Sequence, residues 1–218
     1  MDGLTLLQKI AVWALPILFA ITAHEAAHAW MAAKLGDDTA LRLGRVTLNP
    51  IKHIDLLGTI ILPLAMLVMS GFIFGWAKPV PVQFHRLRKL RRDTALVALA
   101  GPGANLIMAI LWAIVGRIGL YFLHSGYEPA LFLVLMASAG IWINAILMIL
   151  NLLPILPLDG GRVLHSSLPN NLALSFERLE PYGFIILVLL LVSGALEKVM
   201  LPLVDIVYQT LLLLAGLL

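Results

Sequence analysis

Two histidines and a glutamate lie within the run TAHEAAHAWM, residues 22–31. His24-Glu25-Ala26-Ala27-His28 has the form H-E-x-x-H. On a helix, residues i and i+4 share a face. His24 and His28 can therefore present two ring nitrogens to one metal ion. Glu25, one position on, lies beside such a site without having to be a ligand. Two neutral imidazoles on a zinc ion, with a carboxylate to take a proton from water, is the equipment of a zinc hydrolase. The alternative is a set of polar residues satisfied by neighbouring helices. The surroundings decide against it, because an ionisable side chain near a bilayer centre costs about 2.5–3.5 kcal/mol and marks a functional site by default.

A third ligand is needed, and Asn151-Leu-Leu-Pro154-Ile-Leu-Pro157-Leu158-Asp159-Gly160-Gly161 supplies it. Pro154 and Pro157 interrupt a helix. Gly160 and Gly161 are expected to permit a tight turn. Asp159 then swings off the helix axis. A carboxylate is an ordinary zinc ligand beside two histidines and leaves a fourth position open. Alone, this stretch reads as a helix-capping turn; with the histidines it reads as a ligand. Asn151, two turns before Asp159, can donate to a carbonyl or a developing oxyanion. Asn105, in Gly101-Pro102-Gly103-Ala104-Asn105, is a buried amide that serves either helix packing or a direct role at the site.

The elements that must hold these residues are membrane helices. Hydrophobic residues make up 61% of the 218 and charged residues only 12%, with a mean hydropathy of +0.99. An average soluble domain carries about 25% charged residues. Apolar runs at 10–33, 56–76, 94–122, 129–159, 181–196 and 199–218 each approach the roughly 20 residues needed to cross the hydrocarbon core. The expected fold is an all-α polytopic integral membrane protein, a single domain over residues 1–218. Five to six membrane segments surround a three-helix core of 10–33, 94–122 and 129–159. Segments 181–196 and 199–218 are peripheral, with Glu197 and Lys198 at the turn between them. The alternating LRLGRVTLNP, residues 41–50, is expected to form a short β element. The chain has no cysteine, which removes disulfides and thiolate metal sites. The first apolar run is too long and too polar for a signal peptide. HRLRKLRR, residues 85–92, beside a membrane helix, reads as a topology anchor or an anionic-lipid contact rather than a nucleic-acid site. Asp205 is expected to be a buried carboxylate without a partner.

Taken together, H-E-x-x-H in one membrane helix, G-P-x-x-N in another and N-x-x-P-x-x-P-L-D-G-G closing a third resemble the site-2 protease family of intramembrane zinc metalloproteases. The resemblance covers the three core segments. It implies one zinc ion per chain on His24, His28 and Asp159, with Glu25 as catalytic base and Asn151 holding substrate; Asn105 is the further substrate-binding candidate. It implies a transmembrane or signal-peptide-like substrate in a prokaryotic cell membrane. The chain has no length for the regulatory domains many members carry and resembles the minimal form. A metal or ion transporter is a weaker reading, because neither repeat symmetry nor a dispersed ion path is evident. A pseudoprotease is weaker because every motif residue is present.

The motifs also constrain threading. His24, His28 and Asp159 all lie towards the C-terminal ends of their segments, so 10–33 and 129–159 must run the same way. If every segment crossed once, they would run oppositely. Segment 56–76, with Gly58, Pro63, Ser70, Gly71 and Gly75, is therefore expected to turn back as a re-entrant hairpin. All 15 basic residues except Lys9, Arg117 and Lys198 then fall on one side, which the positive-inside rule makes cytoplasmic. The imidazoles would lie roughly 9–15 Å below the Lys34 end of their helix, opening to the cytoplasm. Reporters placed at residue 36 and at residue 90 are both expected to read as cytoplasmic. Labelling on opposite sides would overturn the re-entrant arrangement.

Overall fold

The computed structural model describes residues 4–55, 58, 61 and 78–217. Its helices are α1 (Leu6–Leu35), α2 (Thr39–Arg42), α3 (Leu90–His124), α4 (Ala130–Asn151), α5 (Asp159–Ser167), α6 (Asn170–Glu177), α7 (Gly183–Val192) and α8 (Ala195–Ala215). Four of these, α1, α3, α4 and α8, are long and apolar enough to cross a membrane. Their outward faces carry exposed side chains such as Ile107, Ile114, Leu131 and Ile206. Lipid tolerates such faces and water would not.

Local chemistry sets the helix ends. Thr5 opens α1 with a capping box: its hydroxyl accepts from Gln8 N–H, and Gln8 Oε1 accepts from Thr5 N–H at 2.9 Å. Gly36, at φ 121°, closes it. α3 starts at Leu90, ahead of the expected position 94, because Asp93 Oδ2 accepts the Lys89 N–H at 2.8 Å. α4 stops at Asn151, ahead of Pro154.

The helix directions follow from who meets whom. Ala20, His24 and His28 of α1 lie beside Asn105, Gly101 and Val97 of α3, so these two helices are antiparallel. Trp112, Gly116 and Gly119 of α3 lie beside Gly140, Ala137 and Val134 of α4, which is again antiparallel. α1 and α4 therefore run the same way, as the ligand positions require. Trp112, Ala113, Ala137 and Ile141 form the buried core of the α3–α4 contact, and Leu212 brings α8 onto it.

Several expectations are corrected. Among the described residues there is no strand. Residues 41–50 instead hold the end of α2, a turn at Gly44 (φ 65°) and a short 3₁₀ turn beginning at Pro50. The Asp37 carboxylate accepts both Thr39 N–H and Thr39 Oγ1–H at the start of α2, which commits the backbone to a helical turn. Segment 181–196 holds the ten residues of α7, about 15 Å of rise and half a crossing, and its last two residues already belong to α8. The break falls at Ser193-Gly194, with Gly194 at φ 72°, and Glu197 and Lys198 lie inside α8 rather than at the turn. Asp205 is exposed and accepts from Gln209 Nε2 at 3.3 Å.

The expected re-entrant hairpin at 56–76 lies outside the described residues, apart from Gly58 and Ile61. Its described flanks meet, because Lys78 N–H donates to His53 O at 2.9 Å. Arg88 N–H donates to Leu35 O at 3.1 Å, so the chain entering α3 is tied to the C-terminal end of α1.

Candidate metal centre

His24 and His28 project from one face of α1, as their spacing demands. Their Nε2 atoms are 3.0 Å apart. Asp159 Oδ2, from the first residue of α5, lies 3.3 Å from each. These three are the group of side chains among the described residues able to hold a metal ion together. A tetrahedral zinc ion at about 2.0–2.1 Å from each ligand sets neighbouring ligand atoms about 3.3–3.4 Å apart, and the observed triangle is close to one face of that figure. Asp159 Oδ2 is buried and accepts no hydrogen bond. A buried carboxylate oxygen without a donor is costly unless a cation faces it. The residues present fit the ion.

Each imidazole is oriented from behind. His28 Nδ1 donates to the Val97 carbonyl at 2.8 Å. His24 Nδ1 faces Asn105 Oδ1 at 2.7 Å. With both Nδ1 positions bonded to acceptors, both Nε2 lone pairs are free for a metal. Asn105 is fully buried; its Nδ2 donates to Ala20 O and to Asn144 Oδ1. The structure thus turns Asn105 towards His24 and away from open space. Asn151, the last residue of α4, is partly exposed, and its Nδ2 donates to Leu147 O at 3.0 Å.

Glycine shapes the site by closeness. A Cβ on Gly101 would overlap the ring atoms of both His24 and His28, so only glycine lets α3 approach the imidazoles here. Gly160 and Gly161 act likewise rather than as turn formers. They lie within α5 at ordinary helical φ, and a Cβ on either would strike the backbone of the 152–156 turn. α5 is pressed onto that turn, which holds Asp159 in place.

Two features were missed in the sequence. Val80 N–H donates to Glu25 Oε2 at 2.8 Å. Val80 belongs to an irregular stretch, 78–83, that is tied to α1 and to Asp37 just beyond its end. Arg45 Nη2 donates to the Lys78 carbonyl, and Gln83 N–H donates to Asp37 Oδ2 at 2.6 Å. Burial works to raise the Asp37 carboxyl, but the donors from Thr39 and Gln83 outweigh it and hold the group below its ordinary value. This anchor is complete above about pH 4 and is lost as the pH falls through the depressed value. The second missed feature is Asn144. An amide inside an uncharged run is the same signal that singled out Asn105.

Residues 129–193, spanning α4 and the Asp159 turn, match the model of Peptidase family M50. The chain is 38% identical over 197 residues to a Bacillus subtilis protein named Putative zinc metalloprotease YwhC, covering 87% of this chain and 84% of that one. It is 31% identical over 200 residues to a Mycolicibacterium smegmatis protein named Putative zinc metalloprotease Rip2, covering 90% and 74%. A Mycobacterium tuberculosis (H37Rv) protein of the same name is 28% identical over 191 residues, covering 86% and 68%. No solved structure matches the chain.

Gly101→Ala is expected to push α3 off the imidazoles and weaken zinc binding at least tenfold, with a stability loss of about 1–3 kcal/mol from overpacking. Zinc titration of the purified protein against a competing chelator reads this. Unchanged affinity would mean that the close approach does not set the ligand geometry.

Proposed function

The chain belongs to peptidase family M50, the site-2 protease family, and from that premise we propose that it is a zinc-dependent endopeptidase cutting peptide bonds within or near the transmembrane segments of other membrane proteins. The observation that carries the reading is the His24–His28–Asp159 triangle with an unpartnered carboxylate oxygen at its apex. His24, His28 and Asp159 would hold one zinc ion. Bound zinc supplies Lewis acidity, which activates water near neutral pH and polarises a carbonyl.

The chain's own residues do the rest. Glu25, one position from His24 on α1, takes a proton from the attacking water and returns it to the leaving amine. Val80 N–H holds one oxygen of Glu25, which fixes the carboxylate's orientation. Asn151, beside the turn that carries Asp159, offers its amide to the scissile carbonyl as charge develops on the oxygen. The imidazoles and Asp159 lie below the end of α1, within the part of the chain that would be in the bilayer. The peptide bond must therefore come to the site from a membrane-embedded substrate that has locally unwound. The side is cytoplasmic by the distribution of basic residues.

Cleavage of a single-span model substrate in detergent or liposomes tests the proposal. Glu25→Gln is expected to lower cleavage by about 10²–10⁴-fold with zinc still bound. Chelation is expected to abolish cleavage and added zinc to restore it. Substrate binding without zinc-dependent cleavage would instead identify a pseudoprotease, and zinc-independent ion flux a transporter.

Val80→Pro removes the N–H that holds Glu25 in a stretch that already carries prolines at 79 and 81. It is expected to reduce kcat about tenfold with KM and zinc content little changed. Val80→Ala keeps the N–H and is expected to lose far less. Equal losses in the two variants would show that the side chain, not the hydrogen bond, matters there.

A further inference from the structure

We infer that Asn144 is a positioning residue for the metal centre: it fixes the Asn105 amide, which fixes the nitrogen of His24 that carries the proton. The inference rests on the zinc reading above. It concerns a residue of α4 that supplies no ligand and acts only through its neighbour.

The directions of the bonds can be read from their ends. Gly140 O is a carbonyl and only accepts, so the 2.8 Å contact there must come from Asn144 Nδ2. Asn144 Oδ1 is then turned to Asn105, which must present its NH₂ group at 3.0 Å. The same NH₂ meets Ala20 O, a second acceptor-only group, at 3.1 Å. Both Asn105 amide hydrogens are now spent, so Oδ1 is the atom that faces His24 Nδ1 at 2.7 Å. An amide oxygen only accepts. His24 Nδ1 therefore carries the proton, and the lone pair lies on Nε2, facing His28 and Asp159.

The chain of bonds is closed at both ends by backbone carbonyls, one from α1 and one from α4. Reversing either amide would set carbonyl against carbonyl. Bulk water does not reach either amide to repair the mismatch, since Asn105 and Asn144 are both 0% exposed. Ala20 O alone occupies one Asn105 hydrogen. Asn144 occupies the second and so completes the distinction between the two ends of the Asn105 amide. Partners behind a ligating histidine commonly change metal affinity 10–100-fold.

The test is a double-mutant cycle read in zinc affinity, using the full chain purified in detergent, stripped of metal and titrated with Zn²⁺ against a chromophoric chelator. Asn144→Leu is expected to weaken zinc about tenfold, and Asn105→Leu by at least as much. The double variant should be no weaker than Asn105→Leu alone, because Asn144 has no route to the metal except through Asn105. Thermal unfolding without zinc separates loss of fold from loss of affinity, and Asn144→Ala serves if the leucine variant does not fold. An unchanged affinity in the Asn144 variants, or losses that multiply in the double variant, would overturn the inference. His24→Ala and Asp159→Ala keep the two readings apart. If they bind zinc as tightly as the parent, the zinc site itself is wrong; if they lose it and Asn144→Leu does not, only the positioning role is wrong.

Discussion

A carboxylate oxygen buried against two imidazole nitrogens, inside a protein that lies in lipid, is the constraint from which the rest of the structure follows. Each of these groups is expensive away from water. Moving them to the surface would relieve the cost and destroy the site. Keeping them buried requires that every remaining donor and acceptor be met from within. His28 is met by the Val97 carbonyl, His24 by Asn105, and Asn105 by Ala20 and Asn144. Of the groups at this site, Asp159 Oδ2 is the one left without a donor, and it lies 3.3 Å from each of the two Nε2 atoms. The arrangement has the sign and the geometry to hold a cation.

Meeting those groups sets the helix packing. α3 must come close enough for a backbone carbonyl and an amide to reach the imidazoles, and Gly101 makes the room. α4 must come close enough to α3 for Asn144 to reach Asn105. There Gly140 admits the Trp112 ring, and Gly116 and Gly119 bring the two helices together along their length. α4 must then stop early enough for the chain to fold back under itself and present Asp159. Pro154 breaks the helix, and Gly160 and Gly161 let α5 lie directly on the turn. Small residues and prolines in an apolar sequence look permissive. Here they let the elements that carry the polar contacts come close enough to make them.

Much of this was legible in the sequence because cost is legible. Charged and amide side chains in apolar runs stand out, and H-E-x-x-H has one geometric meaning on a helix. The parallel run of α1 and α4 was deducible from where their polar residues lie. What was not legible depended on register or on length. Asn144 matters only because α3 and α4 are antiparallel in a register that sets it opposite Asn105, and no local pattern announces register. The 181–196 run is as apolar as a crossing helix, but hydropathy does not count helical residues, and Gly194 ends the helix too soon. The alternation at 41–50 was overridden by side-chain bonds at Asp37 that close a helical turn. Gly160 and Gly161 were recognised as necessary, though the reason is closeness rather than φ.

The irregular stretch 78–83 bears on how a substrate would be held. A strand that accepts a partner offers backbone donors and acceptors along its edge. This stretch has prolines at 79 and 81, which have no N–H, and it donates Val80 N–H to Glu25 and Gln83 N–H to Asp37. Its bonded donors meet Glu25 on α1 and Asp37 just beyond the end of α1. It is built to hold Glu25 rather than to pair with an incoming peptide. That leaves Glu25 able to serve as the proposed base. A carboxylate has about four lone-pair sites on its two oxygens, and one donor occupies one of them. In the proposed mechanism the sites left open can still take a proton from water, while a backbone donor that side-chain substitution leaves in place holds the Glu25 carboxylate.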